Sequence, residues 1–339
     1  MALRTCRSLF RRAAAIRNVK TELRDELSAQ LGESVKFGAS LASLSTYRVG
    51  GPAEALFEPC SAEDVSLGLR TAATLEIPWI VVGLGSNILA ADEGFAGLVI
   101  RMGQRLADVA RDEDDDSLWT VGAGLPTPLL AKQTAAAGLE GVHRLIGVPG
   151  TVGGGVFMNA GAHAQEFRDV VTWVDVVAHD GTRSRIPGDS IPWRYRSSGL
   201  DGVVVATQIS LQRGDPEDLL RDVKNYLRWR KRGTPFDRPC CGSVFRNPTA
   251  EQLTERVDEV GSPPTAGRLI DAAGLKGFRV GAAEVSPMHA NYIVNTGDAT
   301  ARDVTSVIET VRTRVLDRFG IDLQLEVRLL HQGSRREDS

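Results

Sequence analysis

The sequence predicts an α+β protein of two main domains that meet near residue 213. Three observations carry that reading. Apolar residues alternate with polar ones through 322–330 and run unbroken through Trp79–Val82, the marks of a half-buried and a buried strand. Val304, Val307, Ile308, Val311 and Val315 share one face of a helix from Thr300 to Phe319, which Gly320 ends. Between such segments glycine gathers into turns after strands, most densely at 146–162.

Taken in order, the chain opens with Arg4, Arg7, Arg11, Arg12, Arg17 and Lys20 ahead of its first acid, Glu22. That composition is like an organelle transit peptide, but a frayed arm explains it more simply, and residues 1–18 are set aside as a basic N-terminal arm. Residues 19–47 form a helix, with Leu23, Leu27 and Leu31 on one face, and a lead-in. Ser61 and Asp64 make a capping-box pattern for a helix bearing Val65, Leu69 and Ala72. Gly97–Arg101 and Leu118–Val121 read as strands on either side of five consecutive acids, Asp112 to Asp116, a solvated loop. Thr127 is expected to cap a helix that has Pro128 at its first position and Gly138 past its end. His179-Asp180-Gly181 turns a hairpin between Val170–Ala178 and Thr182–Ile186, and Val203–Leu211 is a further strand. Asp215, Pro216 and Asp218 start a helix with Leu219, Leu220, Val223 and Leu227 on one side. It ends in R-W-R-K-R, which suits a helix C-terminus and also an anionic ligand. A helix near 264–274, a strand at Asn291–Asn295 and a polar tail at 331–339 complete the chain.

Composition narrows the function. With 339 residues, 42% of them apolar and 24% charged, the chain can bury a large core. A net charge of −3 argues against nucleic-acid binding through bulk positive potential. No run reaches the ~18 apolar residues of a spanning helix. Cys6, Cys60, Cys240 and Cys241 form neither a disulfide framework nor a metal-ligand spacing, so a reducing cytoplasm is expected and no metal. Adjacent Cys240 and Cys241 could bridge only with strain.

The stretch 146–162, I-G-V-P-G-T-V-G-G-G-V-F-M-N-A-G-A, has six glycines and no charge. A solvated linker would carry Ser, Lys or Glu among its glycines. Here glycine lies among Val148, Val152, Val156, Phe157 and Met158, so the stretch is expected to be buried. Buried N–H groups need acceptors, and a diphosphate supplies several. A tight turn under a sheet is the plainer alternative. G-L-G-S-N-I-L at 83–89 is not a Rossmann fingerprint, since Ile88 stands where the third glycine belongs, and no G-K-[ST] makes a phosphate loop. Glycine turns at 83–87, 122–124 and 147–155 instead suit a flavin dinucleotide held between several loops.

T-Y-R-V-G-G (46–51), G-L-G-S-N-I-L (83–89), G-V-P-G-T-V-G-G-G-V-F-M-N-A-G-A (147–162), Y-R-S-S (195–198), G-S-V-F-R-N-P (242–248), A-G-R-L-I-D-A-A-G-L-K-G (266–277), H-A-N-Y-I-V-N (289–295) and L-Q-L-E-V-R (323–328) follow one another in an order that resembles the UDP-N-acetylenolpyruvoylglucosamine reductase (MurB) family. The resemblance spans roughly 40–330, and eight motifs in order make it specific. It implies a two-lobed FAD-binding domain of the vanillyl-alcohol-oxidase (PCMH) type over 48–213 and an α+β substrate-binding domain over 214–330. FAD would bind non-covalently and NADPH would reduce it. UDP-N-acetylglucosamine enolpyruvate would then accept a hydride at its vinyl carbon and a proton at the neighbouring one, giving UDP-N-acetylmuramate for peptidoglycan.

The resemblance carries residues with it. Arg196 matches the catalytic arginine, Ser243 the proton-donating serine and Glu326 the catalytic glutamate. An enolate-like dianion calls for a guanidinium, and a hydroxyl protonates carbon only when fixed against a very basic intermediate. Alone, Arg196 would read as a surface ion pair, Ser243 as a turn hydroxyl and Glu326 as a solvated strand residue. The FAD contacts implied are Tyr47, Arg48, Gly50, Gly83, Gly85, Ser86, Asn87, Ile88, Leu89 and Gly122, then Gly147, Pro149, Gly150, Thr151, Gly153, Gly154, Asn159, Ala160 and Gly161. Tyr195, Arg246, Asn247, Lys276 and His289 are the substrate-binding candidates, with a structural role the alternative for His289. Relatives often have Ala at Gly155, read as a harmless change, and Ser-Ala in place of Cys240-Cys241. No insertion holds a tyrosine-bearing loop, so the chain resembles the shorter, type II form. Its partner is a nucleotide sugar, and nothing in the sequence points beyond a monomer. A flavin alcohol oxidase of the same fold, or a flavin-binding protein without catalysis, would have no need of Arg196, Ser243 and Glu326 together.

Overall fold

A computed structural model describes residues 21–253 and 260–330; the basic arm at 1–18 and the polar tail at 331–339 lie outside the described residues. Helix α1, over 21–31, buries Leu27 and Leu31 and half-buries Leu23, as its spacing requires. The first lobe follows with β1 (Val35–Phe37), β2 (Ala53–Phe57), α2 (Ala62–Thr74), β3 (Trp79–Val82), β4 (Ile88–Ala90) and β5 (Phe95–Arg101). Its sheet runs β1-β2-β5-β3, with β5 parallel to both neighbours. Ser61 Oγ accepts the Asp64 N–H at 3.1 Å and caps α2, while the Asp64 carboxylate returns to Cys60 N–H at 2.8 Å. β3 departs from the buried strand the sequence suggests. It is the sheet edge, Val81 is 37% exposed, and its residues line a cleft.

The second lobe contains β6 (Val109–Arg111), β7 (Leu118–Gly122), α3 (Thr127–Ala136), β8 (Leu139–Glu140), α4 (Val152–Phe157), β9 (Gly161–Ala162), β10 (Gln165–Glu166), β11 (Val171–Val177), β12 (Arg183–Pro187), β13 (Val203–Ser210) and β14 (Gln212–Arg213). Its antiparallel sheet runs β12-β11-β13-β7-β6, and the five acids turn the chain from β6 into β7. Trp119, Val174 and Val205 share one continuous apolar core with Leu69 and Ala72 of α2, so the lobes are packed into one domain. Thr127 is not the cap of α3 but its first residue, after Pro126. Its N–H donates to Gly150 O at 3.0 Å and Pro126 bridges Thr151, which draws the start of the helix onto the glycine stretch.

Beyond residue 213 come α5 (Pro216–Gly233), α6 (Ala266–Ala272), β15 (Arg279–Val280), β16 (Ala283–Val285), β17 (Ile293–Asn295), α7 (Ala301–Phe319) and β18 (Arg328–Leu330). Asp215 caps α5, which sets Leu219 and Val223 against Ala131, Ala135 and Ile146, so this helix packs on the preceding lobe. α7 has a reciprocal Thr300–Asp303 capping box, ends on Gly320 at φ 71°, and buries all five apolar residues named for it. Those residues join Phe245, Ile270, Ile293 and Val327 in a second core.

The alternating stretch at 322–330 is only partly a strand. Leu323 and Val327 are buried, but regular pairing covers Arg328–Leu330 alone. Alternation breaks there: Leu330 is buried and Leu329, expected inward, is 37% exposed. Residues 324–327 bond to 244–246, with the N–H groups of Glu326 and Val327 both reaching Val244 O; the chain then changes partner and pairs with β4. That exchange shifts the register by one and turns the remaining side chains over. It also ties the second domain to the first. Asp92 strengthens the tie by accepting both Ala301 N–H (2.7 Å) and Arg302 N–H (3.1 Å) at the positive end of α7.

Candidate active site

Between the two lobes and the C-terminal domain lies a cleft of about 330 Å³. One wall is nearly all backbone. Gly85, at φ 63°, lets the 83–87 turn press on Leu44; a Cβ there would lie 1.8 Å from Leu44 O. Thr151 Oγ1 caps α4 by accepting Gly154 N–H at 3.4 Å. A Cβ on Gly154 would meet only Thr151 Oγ1, at 3.7 Å, and one on Gly242 only Ser86 O, at 4.0 Å, so these two face open space. An uncharged wall with an open glycine floor fits a planar, phosphate-bearing cofactor such as FAD.

Gly83, Gly85, Ser86, Asn87 and Ile88 line the cleft, and Pro149, Gly150, Thr151, Gly153, Gly154, Ala160 and Gly161 do so beside them. The other candidates for cofactor contact stand behind these walls. Tyr47 and Leu89 belong to the C-terminal core, and Gly50 sits against Ala90. Gly122 is pressed on Leu106 O, and Gly147 stands beside the Arg230 side chain. Asn159 is fully buried and hydrogen-bonded within the protein. Arg48, at φ 55°, borders an adjoining cavity with Phe236 and Arg238. Gly155 has a specific partner. A Cβ would lie 2.3 Å from the ring of fully buried Phe167, so alanine is not harmless in this chain.

The adjoining wall is charged. Arg196, Ser243 and Glu326 all border the cleft. Arg196 Nε donates to Glu326 Oε1 at 3.0 Å, its Nη2 donates to Gly161 O at 3.3 Å, and both side chains are about four-fifths buried. Val244 O accepts the Glu326 N–H at 2.8 Å, which brings Ser243 beside Glu326; Asn291 clamps the same segment through Phe245 N–H and O. Asn87 Nδ2 donates to Glu326 O at 3.0 Å, joining the glycine turn to the acid. Burial raises the Glu326 pKa above the ordinary glutamate value, outweighing the attraction of Arg196, Arg246 and Arg230.

The substrate candidates are more scattered. Tyr195 is 45% exposed with the Arg196 guanidinium 4.7 Å over its ring, and Arg246 directs positive charge at Glu326. Asn247 Oδ1 accepts Ala266 N–H at 3.1 Å, and Lys276 is paired with Asp271 at 2.6 Å. His289 accepts Asn291 N–H at Nδ1, and burial lowers its pKa. Residues outside the sequence-derived set also form the walls: Trp79, Met102, Val203, Arg230, Tyr292 and Arg328. Arg230 was legible as part of the cationic end of α5; Val203 and Met102 are ordinary apolar residues whose sequence carries no sign of a cleft.

A family model described as "UDP-N-acetylenolpyruvoylglucosamine reductase, C-terminal domain" matches residues 234–330, and one described as "FAD binding domain" matches 53–186. The UDP-N-acetylenolpyruvoylglucosamine reductase of Halalkalibacterium halodurans is 38% identical over 304 residues, covering 89% of this chain and 95% of that one. That of Heliobacterium modesticaldum is 40% identical over 297 residues, covering 87% and 90%. The crystal structure of UDP-N-acetylenolpyruvylglucosamine reductase (MurB) from Thermus caldophilus superposes with a TM-score of 0.70 at 35% identity, over 86% of this chain and 98% of that one. Its two-lobed FAD-binding domain, its C-terminal α+β domain and its relatives at this identity and coverage together establish that the chain belongs to the UDP-N-acetylenolpyruvoylglucosamine reductase family.

Proposed function

We propose that the protein is an FAD-dependent, NADPH-consuming reductase that converts UDP-N-acetylglucosamine enolpyruvate into UDP-N-acetylmuramate. The observation that carries this reading is the convergence of Arg196, Ser243 and Glu326 on one cleft whose other wall is uncharged glycine backbone. The backbone at 83–88, 149–154 and 160–161 would hold FAD, which when bound passes a hydride from NADPH to the vinyl carbon of the substrate. Arg196 pairs with the substrate carboxylate as negative charge spreads into it. Ser243 Oγ gives its proton to the neighbouring carbon and is reprotonated from solvent. Glu326 Oε1 is engaged by Arg196, which leaves Oε2 to lend a proton to the carboxylate oxygen on which the negative charge collects and to take it back as Ser243 protonates the carbon. The raised pKa suits that role.

On this reading 48–213 is the cofactor domain and 214–330 the substrate domain, with α5 as the strut between them. The protein is the shorter, type II form, acts in the cytoplasm as a monomer and takes a nucleotide sugar as its partner. Among the described residues Cys60, Cys240 and Cys241 are free thiols, and no helix is long and apolar enough to cross a membrane. Purified protein should show a flavin absorbance band, and NADPH oxidation should accelerate on addition of UDP-N-acetylglucosamine enolpyruvate. Ser243→Ala should still be bleached by NADPH while turnover falls about 10²- to 10⁴-fold. Unchanged turnover in that variant would remove Ser243 as proton donor.

A further inference from the structure

Arg196 carries its charge on a strained turn. Its φ of 58° lies in the left-handed region, which is unfavourable for a non-glycine residue. The turn is only two residues long, closed by Arg194 N–H to Ser197 O at 2.8 Å and Ser197 N–H to Arg194 O at 3.2 Å. Strain of this kind persists only when the surroundings hold it.

Those surroundings are the end of the glycine stretch and the residues just after it. Ser198 donates to Phe157 O through both its N–H (3.1 Å) and its hydroxyl (2.9 Å). Asn159, fully buried and left-handed itself at φ 42°, follows Met158, the C-cap of α4. Its Nδ2 donates to Arg194 O at 3.1 Å and to Glu166 Oε2 at 3.0 Å, while its Oδ1 accepts Arg168 N–H at 3.1 Å. Glu166 in turn places Oε1 3.9 Å from Arg196 Nη1, on the other side of the guanidinium from Glu326. Arg168 Nε, 3.0 Å from Glu166 Oε2, keeps that carboxylate in place. The cleft wall passes through Ala160 and Gly161 but not through Asn159 or Glu166.

We propose that Asn159 and Glu166 are positioning residues for Arg196: the Asn159 amide fixes both the turn that bears Arg196 and the Glu166 carboxylate, and Glu166 balances the pull of Glu326 on the guanidinium. The proposal rests on the reading of Arg196 as the partner of the substrate carboxylate. A single carboxylate beside an arginine draws the fork toward itself. Two carboxylates on opposite edges leave its plane aimed into the cleft, ready for a third anion. Asn159 thereby joins the end of the cofactor cradle to the group that recognises substrate.

The test separates the two half-reactions of the flavin-loaded enzyme by stopped flow. Bleaching by NADPH is timed first, then recolouring of the reduced enzyme by UDP-N-acetylglucosamine enolpyruvate. Asn159→Gly keeps the left-handed backbone and removes the amide; Glu166→Gln keeps the volume and removes the charge. Each should slow recolouring by about 10- to 100-fold relative to bleaching, the cost of a displaced catalytic group. Neither should slow recolouring further in an Arg196→Ala background, since residues that act through one another are not additive. Equal slowing of both half-reactions, additive losses with Arg196→Ala, or recolouring within twofold of the parent would each overturn the proposal. If Arg196→Ala alone recolours at the parent rate, the reading of Arg196 falls and the proposal with it. If that variant is slow while Asn159→Gly and Glu166→Gln are not, only the positioning role is lost.

Discussion

The two walls of the cleft are built on opposite principles. The glycine wall at 83–87 and 149–161 contributes backbone, carries no charge, and owes its shape to turns that side chains would block. The adjoining wall contributes Arg196, Ser243 and Glu326, held by hydrogen bonds both within and between the two domains. A cofactor that stays bound can be recognised by shape. A substrate on which charge develops needs groups whose charge is held in place. Damage to the first wall should therefore cost binding and folding, and damage to the second should cost chemistry while leaving the flavin in place.

The largest break expected is at Gly85. Gly85→Ala combines a φ of 63° with a Cβ 1.8 Å from a backbone oxygen, and neither Leu44 nor the 83–87 turn can retreat without opening the cleft. The change should cost about 3 kcal/mol or more and yield protein without flavin. A yellow Gly85→Ala protein with the parent melting midpoint would show that the turn is not under the constraint its geometry implies. Glu326→Gln makes the contrasting prediction. Its flavin content should match the parent, while turnover drops about 10²-fold because Gln cannot carry a proton to the intermediate. Loss of flavin in this variant would erase the distinction between the walls.

A milder prediction sharpens the account of the first wall. Gly155→Ala puts a methyl 2.3 Å from the Phe167 ring and should destabilise by about 1–3 kcal/mol, with flavin retained. Phe167→Leu should be destabilising alone yet recover part of the loss when combined with Gly155→Ala, a coupling that melting curves of the four proteins would measure. Equal losses in the single and double backgrounds would mean the two residues do not compete for the same space.

How much of this was legible in the sequence follows from the same contrast. The glycine wall was plain because six glycines in an uncharged stretch have few other uses, and α7 was plain because Val304 to Val315 repeat with the helix period and Thr300 and Gly320 close its ends. The charged wall was legible only through motifs. Arg196, Ser243 and Glu326 are 130 residues apart in sequence at their extremes, and nothing local tells Arg196 from a surface ion pair. Three features depended on partners that a sequence does not display. Thr127 is drawn into α3 by Gly150, the exposed edge of β3 is set by sheet order, and Leu329 turns outward where the strand changes partner from 244–246 to β4. The role of Asn159 was hidden differently. It sits inside the motif that marks the cradle, yet its amide is directed away from the cleft, to Arg194 and Glu166.

The smallest effect expected is the one that tests the electrostatics of the second wall directly. Burial raises the pKa of Glu326 although the Arg196 guanidinium is 3.0 Å away, so the native state keeps the proton to a higher pH than the unfolded chain does. A carboxyl shifted upward supports folding fully below its unfolded pKa, and that support is lost as pH rises through the native value. Gln at 326 does not titrate. The melting midpoint of Glu326→Gln minus that of the parent should therefore become more positive between about pH 4, near the unfolded glutamate value, and neutrality. Had the attraction of Arg196 outweighed burial, the native pKa would be lowered and the same difference would become more negative over that range. The sign of the change thus decides whether Glu326 is primarily a buried acid able to hold a proton or primarily the fixed counter-ion of Arg196.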